Sequence, residues 1–145
     1  MNKRSSFVPE RRQPTPPPPL GPLLAGARVR GIADGFAWLG LAAVLIDDRG
    51  EALHVNSGAA ELMGDWLFVE HGRLRARELG ADRALAEAIE AALVEGHAGH
   101  LRLAGAEGEL WLRIAPMPAD PGDPYQLLRV VALLSRARDG RAVRH

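Results

Sequence analysis

Apolar residues fill every position from Leu41 to Ile46, the pattern of a strand covered on both faces. Asp47, Asp48, Arg49 and Gly50 follow at once. Aspartate side chains bond nearby backbone amides and glycine accepts positive φ, so this stretch reads as a turn into a second strand, on which Leu53 and Val55 are expected to share a face. Asn56 then offers a side-chain oxygen to the unpaired amides of a helix start. Ala59, Leu62 and Met63 fall on one face of that helix, and Gly64 stands where a left-handed terminator belongs. The pattern predicts a β-turn-β-helix unit.

Beyond it, Trp66, Leu67, Phe68 and Val69 form an apolar run, and His71-Gly72 is a plausible turn before Leu74. A short hairpin or an irregular loop fits equally. Asp82 opens the best helix of the chain, with Leu85, Ile89, Ala92 and Leu93 on one stripe and Gly96 at its end. Leu101 and Leu103 alternate with His100 and Arg102, and Leu110, Leu112 and Ile114 alternate with Trp111 and Arg113. With Gly105 to Gly108 as the loop, this is a β-hairpin in which Ala104 faces Glu109, Arg102 faces Trp111 and His100 faces Arg113, opposite the leucines. The segment Pro116 to Pro124 is a connection, and Tyr125 to Leu134 a final apolar strand. Upstream, Ala33 to Gly40 predicts a short helix with Phe36 and either Leu39 or Trp38 as apolar anchors packed on the sheet. The order of elements predicts an α+β fold, an antiparallel five-stranded sheet with helices gathered on one face.

The phrase DDRGEALHVNSGAAELMG resembles the first motif of a Per-Arnt-Sim (PAS) sensory domain: an apolar strand, an acidic residue before a glycine turn, a short strand, then asparagine, small residues and leucine. Asp48, Gly50, Asn56, Ala59, Ala60, Leu62 and Gly64 carry the match. The phrase HGRLRARELGADRALAEAIEAAL, from His71 to Leu93, is similar to the version found upstream of the DNA-binding domain in LuxR-type bacterial helix-turn-helix regulators. The resemblance spans Asp34 to Arg136. It implies a PAS-like domain with a pocket between the inner sheet face and the helices, where Met63, Trp66, Phe68, Leu110, Leu112 and Ile114 would converge. Those residues serve equally as a ligand-binding set or as core. No helix-turn-helix segment follows in this sequence, so the effector of those regulators is missing.

Composition narrows the picture. Of the 145 residues, 47% are hydrophobic, 25% charged and only 5% aromatic, which suits one domain with an aliphatic core. The absence of cysteine removes disulfides, thiolate metal sites, thiol catalysis and the cysteinyl photoadduct of flavin-binding PAS relatives. No apolar run reaches the roughly 18 residues of a membrane span, and no secretory leader is visible, so a cytoplasmic protein is expected. Residues 1–30 hold Lys3, Arg4, Arg11, Arg12, Arg28 and Arg30 against Glu10 alone, and residues 136–145 hold four arginines against Asp139, so an acidic body lies between basic ends. Pro14 and Pro16 to Pro19 lock φ and delete backbone donors. The expected division is a disordered, proline-rich basic arm over 1–30, the PAS-like domain over 31–136 and a basic tail over 137–145.

Chemistry is sparse. His97 and His100 begin a strand, where a spacing of three sends the rings to opposite faces, so no metal site is expected. Ser57 and Ser135 lack a glycine elbow and a base, and Asp47 and Asp48 read as turn formers. With Lys3 as the only lysine, no phosphate-cradling loop exists. No enzyme is expected, and no cofactor can be named. The sharper inference concerns surface: a tryptophan on the outer sheet face needs cover, so Phe36, Trp38, Arg102 and Trp111 form the candidate interface, covered by the upstream helix or by a second subunit. The expected function is a sensory or dimerisation module of signal transduction or transcriptional regulation, acting through protein contacts as a homodimer with a regulatory partner, ligand binding left open. The alternatives are a ligand-free interaction scaffold and a truncated regulator whose basic ends bind nucleic acid weakly.

Overall fold

The computed structural model describes residues 20–123 and 126–137. In chain order the elements are α1 (Leu20–Trp38), β1 (Ala42–Ile46), β2 (Ala52–Val55), α2 (Ser57–Met63), β3 (Leu67–Glu70), β4 (Arg73–Ala76), α3 (Leu79–Glu90, continued by a π-helical turn Ala91–Glu95), β5 (Gly99–Gly105), β6 (Gly108–Pro116) and β7 (Val130–Arg136). Five strands form one antiparallel sheet in the order β2-β1-β7-β6-β5, and β3 and β4 pair separately. This is the α+β arrangement with a five-stranded antiparallel sheet that the sequence predicts.

The interior strand β1 is buried throughout, with Ala43, Val44, Leu45 and Ile46 all at 0% exposure. Its even-numbered side chains face the larger core. There Val44 and Ile46 meet Leu110, Leu112 and Ile114 of β6, Val130 and Ala132 of β7, Met63 of α2, and Leu85 and Ile89 of α3. Its odd-numbered side chains face a second, smaller core, where Ala43, Leu45 and Val131 pack against Val29 and Ala33 of α1, with Phe36 and Leu53 at the margin. Both α2 and α3 gather on the inner face as expected, while α1 lies on the outer face.

Helix α1 begins earlier than the sequence reading allowed. Leu20 to Arg30, placed in the arm, are helical, because Pro22 falls in the first turn, where its missing N–H costs no intrahelical bond. Ala25, Val29, Ala33 and Phe36 then follow helical spacing and turn one stripe inward. The remainder of the arm, residues 1–19, and the tail from 138 onward lie outside the described residues, as do Pro124 and Tyr125. Strand β7 starts at Val130 rather than Tyr125. Its register is held by Arg129, whose backbone amide donates to the Ile46 carbonyl at 2.9 Å.

Leu53 and Val55 do not share a face. The β1–β2 register pairs Ile46 with Ala52 but Leu45 with His54, a bulge that leaves Leu53 over and turns it to the outer core while Val55 stays inside. The turn before it forms as read: Asp47 Oδ1 accepts from the amides of Arg49 and Glu51, both at 2.9 Å, and Gly50 adopts φ 82°. Of the two options for the segment after Trp66, the hairpin is the one present. His71 and Gly72 both take positive φ, 53° and 78°, the backbone of a two-residue turn matched to strand twist.

Candidate functional site

Helix α2 is set against the sheet by Asn56. Its Oδ1 accepts from the Ala59 amide at 2.9 Å and the Ala43 amide at 3.0 Å, and its Nδ2 donates to the Leu41 carbonyl at 2.9 Å. One buried side chain therefore caps the helix and ties it to the start of β1. Met63 and Trp66 follow into the larger core, where they meet Leu110, Leu112 and Ile114. Five of the six residues assigned to a pocket are thus brought together. Phe68 is not among them: it is half-buried on β3, with the Arg77 guanidinium 5.0 Å from its ring centre, because strand alternation turns it away from Leu67, which is in the core.

The interior is filled by its own side chains. Leu110 and Ile114 are at 0% exposure and Leu112 at 1%. Trp66 is buried with its Nε1–H lacking any acceptor among the described residues, and Arg136 at the end of β7 stacks over its ring at 5.4 Å.

An open groove lies on the other side of the sheet. As the hairpin reading predicts, His100 pairs with Arg113, Arg102 with Trp111 and Ala104 with Glu109. The Arg102 guanidinium sits 5.1 Å from the Trp111 ring centre, and Trp111 Nε1 donates to Glu109 Oε1 at 3.2 Å. Around Trp111 runs a groove of about 590 Å³, floored by Leu41, Leu133 and Ser135 and bordered by His100, Arg102 and Arg113. Helix α1 does not close it with its indole. Phe36 joins the outer core over β1 and β2, whereas Trp38 and Leu39 are 89% and 70% exposed. The helix ends at Trp38, and Trp38 and Leu39 turn to solvent while Phe36 turns in.

Electrostatics tighten a different corner. Arg75 on β4 donates from Nε and Nη2 to Asp82 at 2.8 to 3.1 Å, and the Ala76 amide adds a bond of 2.9 Å to the same carboxylate. The Arg75 hydrogen bonds, then that of Ala76, hold the Asp82 carboxyl below its ordinary range, and Asp82 in turn raises Arg75. Asp82, read from sequence as a helix start, therefore also fastens α3 to the β3–β4 hairpin. The helix starts three residues earlier than that reading, at Leu79 with the Glu78 side chain as its cap, and the arginine partner across a turn was not legible. Among the described residues no three histidine, aspartate or glutamate side chains gather as a metal site requires, and no helix is long and apolar enough to cross a membrane.

No family model matches the chain, and no curated protein does. Among solved structures it is similar to the PAS domain of the histidine kinase ThkA, with a TM-score of 0.45 and 18% identity over 66% of this chain and 97% of that one.

Proposed function

We propose that this chain is a PAS-like sensory and dimerisation module of signal transduction or transcriptional regulation, working through protein contacts rather than catalysis. The observation that carries the reading is the asymmetry of the sheet. Its inner-face residues Leu110, Leu112 and Ile114 are buried, while its outer face leaves Trp111 half-buried in an open groove beside a helix whose Trp38 is 89% exposed. Exposed large aromatics of this kind mark contact surfaces. In this reading Trp38 and Leu39 at the end of α1 support self-association, and Trp111 with Arg102 supplies the contact patch for a partner. Signals would pass as changes in how α1 and the segment after β7 are presented. Sedimentation velocity tests it: the wild type should self-associate and Trp38→Glu should shift it to monomer, whereas a wild type that stays monomeric at high concentration would refute the dimerisation role.

A second reading rests on Trp66. Its buried Nε1–H without an acceptor is a donor that an internal ligand would satisfy, at the cost of moving the packed side chains apart. Native mass spectrometry of freshly purified protein would show a retained small molecule if that reading holds, and bare polypeptide mass if it does not.

A further inference from the structure

We propose that the groove over β5 and β6 docks an acidic amphipathic segment of a partner protein. The inference deepens the protein-contact reading above by naming the chemistry of the partner. The groove has an apolar floor, Trp111 with Leu41 and Leu133, and a cationic border, Arg102 and Arg113, with His100 beside them. Glu109 is the one carboxylate among the described residues paired into this border, and it is already engaged by Trp111 Nε1 and, at 4.0 Å, by Arg102. Arg113 is exposed and has no ion-pair partner among the described residues.

The groove's charge selects its occupant. A second copy laid face to face would bring two sets of these cations together with only Glu109 to offset each, and like charges brought together at an interface oppose association. Helix α1 of another copy is no better suited, since Arg28 and Arg30 sit on it beside a lone aspartate, Asp34. A small ligand would be left uncovered, because sites for small molecules enclose most of their surface and this groove lies open on the sheet. Nucleic acid would meet two arginines around an apolar floor on an otherwise acidic body, a poor match to a phosphate backbone. An acidic segment meets both features: one large apolar side chain packs on Trp111, and carboxylates to either side pair with Arg113 and Arg102.

Fluorescence anisotropy with two labelled synthetic peptides tests this on the full chain. Both carry the same leucine and tryptophan positions; one has glutamate and the other lysine at every polar position. The acidic peptide should bind with an affinity that falls as salt rises, and the lysine peptide at least about tenfold more weakly. Arg113→Glu should weaken the acidic peptide by about tenfold, while Arg49→Glu, on the distant β1–β2 turn, leaves it unchanged. Equal binding of both peptides, no binding of the acidic one at low salt, or tighter Arg113-dependent binding of a labelled DNA oligonucleotide would each overturn the proposal. So would a Trp111→Glu variant that dissociates the protein into monomers, because the groove would then be filled by a second copy. Self-association is read separately by sedimentation, so loss of the dimer in Trp38→Glu with peptide binding retained would leave this inference standing on its own.

Discussion

The guanidinium of Arg136 lies 5.4 Å over the indole of Trp66, and Gly105 abuts the pyrrole side of the same ring, so the exit of β7, the β5–β6 loop and the end of α2 meet on one side chain. Arg136 also donates to the Glu107 carbonyl at 3.0 Å, which clamps the loop from the other direction. A Cβ at position 105 would stand 2.6 Å from Trp66 Nε1 and 3.2 Å from Cε2. Trp66 is 6% exposed and has little room to retreat. Gly105→Ala should therefore destabilise the fold by about 1 to 3 kcal/mol. The penalty should shrink in a Trp66→Phe background, where the clashing ring is gone. Urea unfolding of the four proteins checks this, and equal penalties in both backgrounds would place the clash elsewhere.

Arg102 and Trp111 form a pair of another kind, a cation over a ring on an open face. The Arg102 side chain is 63% exposed, so water competes with the ring and the coupling belongs at the weak end of such contacts. A double-mutant cycle with Arg102→Gln and Trp111→Leu should return about 0.5 to 1 kcal/mol. A value near zero would mean that Arg102 spends its time in solvent and contributes charge to the groove without orienting the indole.

The same hairpin shows what kind of structure a sequence makes legible. Its register follows from a glycine-bounded loop and strict alternation, both local, and so Arg102 opposite Trp111 and His100 opposite Arg113 could be read directly. The outer-face groove was legible only in part: Trp111 was identifiable as needing cover, but the direction in which α1 ends was not, because that depends on packing of Val29 and Ala33 against a strand paired through β7. Leu53 was misplaced since a bulge follows from the closing of the Asp47–Gly50 turn onto a neighbouring strand, which no period reveals. Phe68 was grouped with Trp66 by proximity along the chain, and alternation on β3 separates them. Leu20 to Arg30 were grouped with the proline-rich arm because the proline run upstream was extended past its end, whereas Pro22, in the first turn of α1, leaves the helix intact.

Acid should find the Arg75–Asp82 contact. The folded-state pKa of Asp82 lies below its ordinary value of 3.8 because Arg75 and the Ala76 amide bond the carboxylate. A depressed carboxyl contributes stability above its unfolded pKa, and that contribution fades as the pH falls from there through the folded pKa. Asp82→Asn should thus be less stable than wild type at neutral pH, with the gap closing on acidification below about pH 4. Arg75 is 40% exposed, so solvent screening keeps the effect modest. Denaturant melts across the acidic range give the comparison, and a gap independent of pH would show that the mutation acts through packing alone.

Asn56 offers the most discriminating substitution, because its three hydrogen bonds serve two different structural purposes. Oδ1 caps α2 through the Ala59 amide and satisfies the buried Ala43 amide of β1, while Nδ2 binds the Leu41 carbonyl just before that strand. Asn56→Ala removes a helix cap, a loss of about 1 kcal/mol, and leaves the Ala43 donor buried and unpaired, which costs roughly 1 to 3 kcal/mol more. Asn56→Asp keeps both accepted bonds but replaces the donor to Leu41 with a carboxylate facing a carbonyl, inside a residue only 3% exposed. Aspartate is as good a cap as asparagine on an isolated helix, so the two variants separate the roles. If Asn56 were only a cap, Asp would match wild type at neutral pH. The bond to Leu41 requires instead that Asp be destabilised there and recover toward wild type at low pH, where a protonated carboxyl can donate. Thermal melts of the three proteins at neutral and acidic pH decide between these outcomes.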